Sequence, residues 1–146
     1  MLGNKMYPYF DEYLRLIAAE GRIEIEDVRA IRTLLSEEIA VTRDVIEKLI
    51  DLDRHAEGPR EWCELLSDTI AHFAGWIEGS RGKVSDETSA WMIAAFRGPS
   101  GVPVASAARV IEAVIDQAEE VSAILTLFAL SLSCGSSPEA RPSAAA

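Results

Sequence analysis

With 146 residues, 49% of them hydrophobic and 26% charged, the chain is sized for one ordinary core and sits near the globular average, away from disordered and fibrous compositions. Twenty-four acidic against fourteen basic side chains leave a net charge of −10, and no basic stripe emerges. That argues against binding nucleic acid, where Lys and Arg must neutralise phosphates, and against an anionic membrane surface.

A basic protein partner or a metal cation stays compatible with this charge. Cys63 and Cys134 share no metal-ligand spacing and form no disulfide framework, which fits a reducing compartment. The stretch from Met1 to Pro8 lacks the apolar core of a secretion signal. The longest apolar run, Ala123 to Leu132, is half of what a bilayer span needs. These features predict a cytoplasmic protein without a transmembrane segment.

Pro8 suits a first helical turn, and Phe10, Tyr13, Leu14, Ile17 and Ala18 recur at three-and-four spacing. A helix over about 8–19 is predicted, ended by Gly21. After a short β-compatible stub, Ile23-Glu24-Ile25, a second helical pattern runs on Val28, Ile31, Leu34 and Leu35 until Glu37-Glu38 interrupts it. Thr42 is then a natural N-cap for a helix with the apolar face Val45, Ile46, Leu49, Ile50 and Leu52.

Gly58-Pro59 opens the longest predicted helix, about 59–78. Its broad inner face is expected to hold Trp62, Leu65, Leu66, Thr69, Ile70, Phe73, Trp76 and Ile77, with Glu64, Asp68 and Ala71 on the opposite side. Ser85 can cap the next helix, through Trp91, Met92, Ala95 and Phe96, which Gly98 ends. A helix on Val110, Ile111, Val114, Ile115 and Ala118 comes next. The last, from Val121 to about Leu132, is apolar nearly all round, so it is expected to be covered on several sides. Residues 133–146, rich in Ser, Pro and Ala, read as a disordered tail.

One echo organises these elements. Val45-Ile-Glu-Lys-Leu-Ile-Asp51 returns as Val110-Ile-Glu-Ala-Val-Ile-Asp116, and Gly21-Arg22-Ile23 upstream of the first copy returns as Gly82-Lys83-Val84 upstream of the second. A unit of this kind exposes an apolar face that it cannot cover alone. The expected fold is therefore all-α, a single domain over 7–132 with about seven helices in two pseudo-twofold-related halves, about 10–55 and 62–118, plus a closing helix over 121–132.

Two acidic constellations are spaced for a divalent cation. Glu20 and Asp27 bracket the Gly21 turn as in the second half of a calcium loop, though Leu16 and Ala18 stand where earlier ligands would be. Glu64, Asp68 and His72 lie four apart on one helix flank. The same turn and flank also read as a Gly turn with acids at a helix N-terminus, and as a solvated helical face. No Ser or Cys stands in a nucleophile motif and no phosphate-binding loop occurs, so an enzyme is not expected.

The pattern Gly21-x-Ile23, Glu61-Trp62, Trp76, Gly82-x-Val84-Ser85, Trp91-Met92-Ile93 and the closing run from Ala118 to Leu130 resembles the TerB-like (tellurite-resistance) helical family, including its uncharacterised bacterial members. The resemblance implies an all-α fold of two related halves. For some members it also implies metal binding at acidic turns and a role in stress response or membrane-associated assemblies. The family turn of acid, Gly, x, Ile or Val and a later acid is matched at Glu20, Gly21, Ile23 and Asp27, while Arg81 and Thr88 replace the acids in the second turn. The expected function is a non-enzymatic protein-interaction or scaffold domain, acting through a partner or self-association. The alternative is a divalent-metal-binding stress-response protein.

Overall fold

The computed structural model describes residues 2–136. Among them are seven α-helices: α1 (Leu2–Glu20), α2 (Ile25–Glu37), α3 (Arg43–His55), α4 (Arg60–His72), α5 (Asp86–Arg97), α6 (Ala107–Gln117) and α7 (Ala123–Ser136). A π turn, Phe73–Ile77, extends α4. The fold is thus all-α and a single domain.

Local chemistry starts the helices where the residues suggest. The Thr42 hydroxyl accepts from the backbone N–H of Val45 (3.2 Å), and the Ser85 hydroxyl from that of Thr88 (3.1 Å), so each satisfies an amide that no helical carbonyl reaches. At α2 the reciprocal box is closed by Glu24 and Asp27. Both copies of the echo lie in the core. Val45, Ile46 and Leu49, like Val110 and Ile111, are fully buried, and Ile50 and Val114 nearly so.

The correspondence between the two stretches reaches beyond the echoed heptapeptides. In the first unit the backbone N–H of Glu57 donates to Gly21 O (3.0 Å) and that of Ile23 to Glu57 O (2.7 Å). In the second, the N–H of Glu119 donates to Gly82 O (2.9 Å) and that of Val84 to Glu120 O (2.8 Å). The β-like stubs are therefore single parallel bridges, Arg22 to Glu57 and Lys83 to Glu120. Gly21 and Gly82 make these turns at φ of 76° and 80°, where side chains with a Cβ are strained.

Helix packing repeats in the same way. α1 lies on α3 as α4 lies on α6, α2 on α4 as α5 on α7, and α3 on α4 as α6 on α7. The matching contacts run over α1–α4 and then over α4–α7, so α4 takes part in both sets. That double membership corrects the expectation for Ala71: it is buried, at 4% exposure, because α4 is covered on two sides.

Trp76 and Ile77 depart from the expected inner face, at 48% and 50% exposed. The π turn is the reason. The Glu78 N–H bonds Phe73 O (2.8 Å), five residues back, which adds one residue to the turn and rotates the end of the helix away from the face of Ile70 and Phe73. Trp76 instead lies over the second glycine turn, its ring 3.3 Å from where a Cβ on Gly82 would sit.

The C-terminal expectations need two corrections. Residues 133–136, read as the start of a disordered tail, are helical and end α7, since nothing in Ser-Cys-Gly-Ser stops a helix that packing already holds; 137–146 lie outside the described residues. α7 is not covered on several sides: Ile124, Leu127 and Leu130 are 40%, 62% and 56% exposed. No helix among the described residues is long and apolar enough to cross a membrane.

Candidate functional site

The acidic positions suggested by spacing fall at two separate places in the fold. Glu20 is exposed at the end of α1. Asp27 is half-buried in the first turn of α2, where its carboxylate accepts from the Tyr13 hydroxyl (2.7 Å) and from the Glu24 N–H (2.9 Å). Burial and this carboxylate together push the Tyr13 hydroxyl well above the usual tyrosine range. Both Asp27 oxygens therefore serve the α1–α2 corner. Glu64, Asp68 and His72 all stand exposed along α4. Among the described residues no group of three or more His, Cys, Asp or Glu is gathered so as to hold a metal ion.

A polar network at the other corner fastens α3, the α4 extension and α5 together. Arg43 donates through Nε and Nη2 to the two oxygens of Glu78 (2.6 and 2.9 Å), and the Thr88 hydroxyl donates to the same carboxylate (2.7 Å). The Arg43 guanidinium also sits 5.0 Å from the Trp91 ring centroid, and Trp91 Nε1–H donates to Glu47 (2.6 Å). Glu47, in the first echo, thus has a partner across the fold. Thr88 occupies the α5 position that Asp27 holds in α2, and each ties its helix start back to the preceding helix.

The Arg43 guanidinium holds the Glu78 carboxyl below its ordinary range, against the opposing effect of partial burial and with help from Thr88. A depressed pKa contributes stability above the unfolded value, and that contribution is lost as pH falls through the folded value. Glu78→Gln is expected to cost about 1 kcal/mol at neutral pH, as befits a half-exposed bidentate pair. The deficit relative to wild type should shrink as urea melts are taken from pH 6 towards pH 3. Parallel stability curves for the two proteins would remove Glu78 from the acid response.

The surface that stands apart is the outer side of α7. From Ala123 to Ser136 the helix carries no charged residue, in a chain of net charge −10. Leu125 and Phe128 are buried against the body, while Ile124, Leu127 and Leu130 face out. Beside them a groove of about 640 Å³ is lined by Pro103, Val104, Ala107, Phe128, Ser131 and Leu132. Arg97 borders it, its guanidinium 5.1 Å from the Phe128 ring centroid.

The matching bridges supply a reference for this face. Matching the Glu57 and Glu120 bridges aligns α4 with α7, so that buried Trp62 and Leu65 correspond to buried Leu125 and Phe128. On the same alignment Glu61, Glu64 and Asp68, on the side that α4 turns towards water, correspond to Ile124, Leu127 and Ser131. Where the inner helix shows Glu61 and Glu64, the outer helix shows Ile124 and Leu127. Apolar composition in this run is legible in the sequence; which residues face out is not, because that depends on α5 and α6 packing on one side only.

Comparison with family models, with curated proteins and with solved structures gives no match.

Proposed function

We propose that this chain works by binding protein, not by catalysis, and that the outer side of α7 is its binding face. The observation that carries the reading is the charge-free row of Ile124, Leu127 and Leu130, at positions whose counterparts on α4 include exposed Glu64. End elements of repeat arrays normally turn a polar side to water, because solubility requires it. A contiguous apolar face in that place marks a surface used for contact.

The test uses the full chain, tagged at native abundance, in size separation of cell extract. Wild type is expected to elute in a complex larger than its own 15.9 kDa, and Leu127→Glu to elute alone. Since Glu64 already occupies the matching position of α4, the variant should keep its circular dichroism. Wild type eluting as a lone chain would reject the reading.

A further inference from the structure

We infer that the partner on the α7 face is a second copy of this chain, joined by an antiparallel α7–α7 contact about a twofold axis near Leu127. The inference rests on the reading of α7 as a binding face and adds the occupant.

Net charge restricts where two copies of this chain can meet. Two chains of net charge −10 repel one another, so a stable self-contact must form on surface that adds no like-charge pair. The stretch from Ala123 to Ser133 offers eleven consecutive uncharged residues for this. A basic partner drawn by the same net charge would be steered to carboxylates, and α7 has none to offer it. Depletion of charge at a contact centre is also what distinguishes homodimer faces from the general surface.

The order of residues along α7 suits a twofold contact. A twofold contact must be complementary to itself, so residue i meets j while j meets i. The exposed row has this property, because Ile124 and Leu130 stand three residues to either side of Leu127. Turning α7 end over end about Leu127 exchanges them, and each γ-branched or β-branched side chain then meets its opposite number. Ala123 and Ser131, one step beyond Ile124 and Leu130, are small and leave room for two helices to approach. The adjoining groove at Phe128 and Leu132 gives the partner's outer leucine a place to bury.

Sedimentation of the purified full chain across a concentration series tests this. A mass of twice 15.9 kDa is expected at tens of micromolar, falling to one chain on dilution. Leu127→Glu is expected to weaken the association by at least about tenfold, and Leu127→Ala by less, with unchanged melting of the separated chain. Three outcomes overturn the inference: a single chain at every concentration, a dimer indifferent to Leu127→Glu, or a mass that climbs without plateau. A single chain when pure, yet a large complex in extract, rejects the second copy while leaving the binding face intact; a lone chain in both rejects both.

Discussion

Asp53→Ala is expected to remove about 3–5 kcal/mol of folding stability, among the largest losses available from a single polar side chain here. Asp53 is 8% exposed on α3, in the turn after the first echo. Its Oδ1 accepts from Trp62 Nε1 (3.0 Å) and from the Ser106 hydroxyl (2.9 Å), and its Oδ2 accepts from the Ser106 backbone N–H (3.0 Å). One carboxylate therefore fixes the end of α3, the start of α4 and the N-cap of α6. Alanine would leave these donors without their acceptor, and the Trp62 side chain that carries one of them is only 1% exposed.

Asp53→Asn separates the two contributions to that loss. It keeps the volume and one acceptor oxygen but points an amide N–H₂ at a group that already donates, so about half of the alanine penalty is expected. Urea unfolding monitored by tryptophan fluorescence reads both variants. A loss below about 1 kcal/mol for Asp53→Ala would show that the three helix ends are held by apolar packing alone.

What the residues disclose in advance divides along sequence distance. Thr42 and Ser85 cap their own helices within three residues, so their roles come from local chemistry, and the echoed Val and Ile positions reveal the core through periodicity. Asp53 gives no such sign, because its partner Ser106 lies fifty-three residues away. Trp76 leaves the face that periodicity assigns it because a π turn changes the helical phase without any marker in the apolar pattern. Asp27 shows the limit of reading acids as ligands: the same spacing from Gly21 that suggests a cation cage suits a capping box, and Tyr13, fourteen residues upstream, takes the other oxygen.

The α7 face illustrates a third kind of limit. Its composition announces burial, yet among its described residues only Leu125 and Phe128 are buried deeply. Periodicity describes how much apolar surface a helix has and not which body covers it. Alignment with α4 turns that ambiguity into a residue-level contrast, Glu64 against Leu127, and this contrast is the basis for the binding face.

Gly79→Ala is the second large effect, with a loss of about 3 kcal/mol or more expected. A Cβ on Gly79 would lie 2.3 Å from both Ala74 O and Lys83 O, and 2.9 Å from Gly75 O. All three are backbone atoms, so no rotamer change relieves the contact and the turn itself must open. That threatens the bond from Gly82 N–H to Gly75 O (2.9 Å) and the bridge between Ser80 and Lys83. It also moves the neighbouring Glu78 away from Arg43, so the acid sensitivity assigned to that pair should fade in the same variant.

Gly21→Ala, in the glycine turn that corresponds to Gly82, is the comparison variant. Its φ of 76° carries a strain of about 1–2 kcal/mol for any residue with a Cβ, but the added methyl meets nothing within 4 Å. Chemical denaturation of the two variants should therefore rank Gly79→Ala well below Gly21→Ala in stability. Equal losses would mean that the α4–α5 turn relaxes as freely as the α1–α2 turn. In that case the close backbone approach at Gly79 would not be what joins the π turn to the second bridge, and the two units would be held together by helix packing instead.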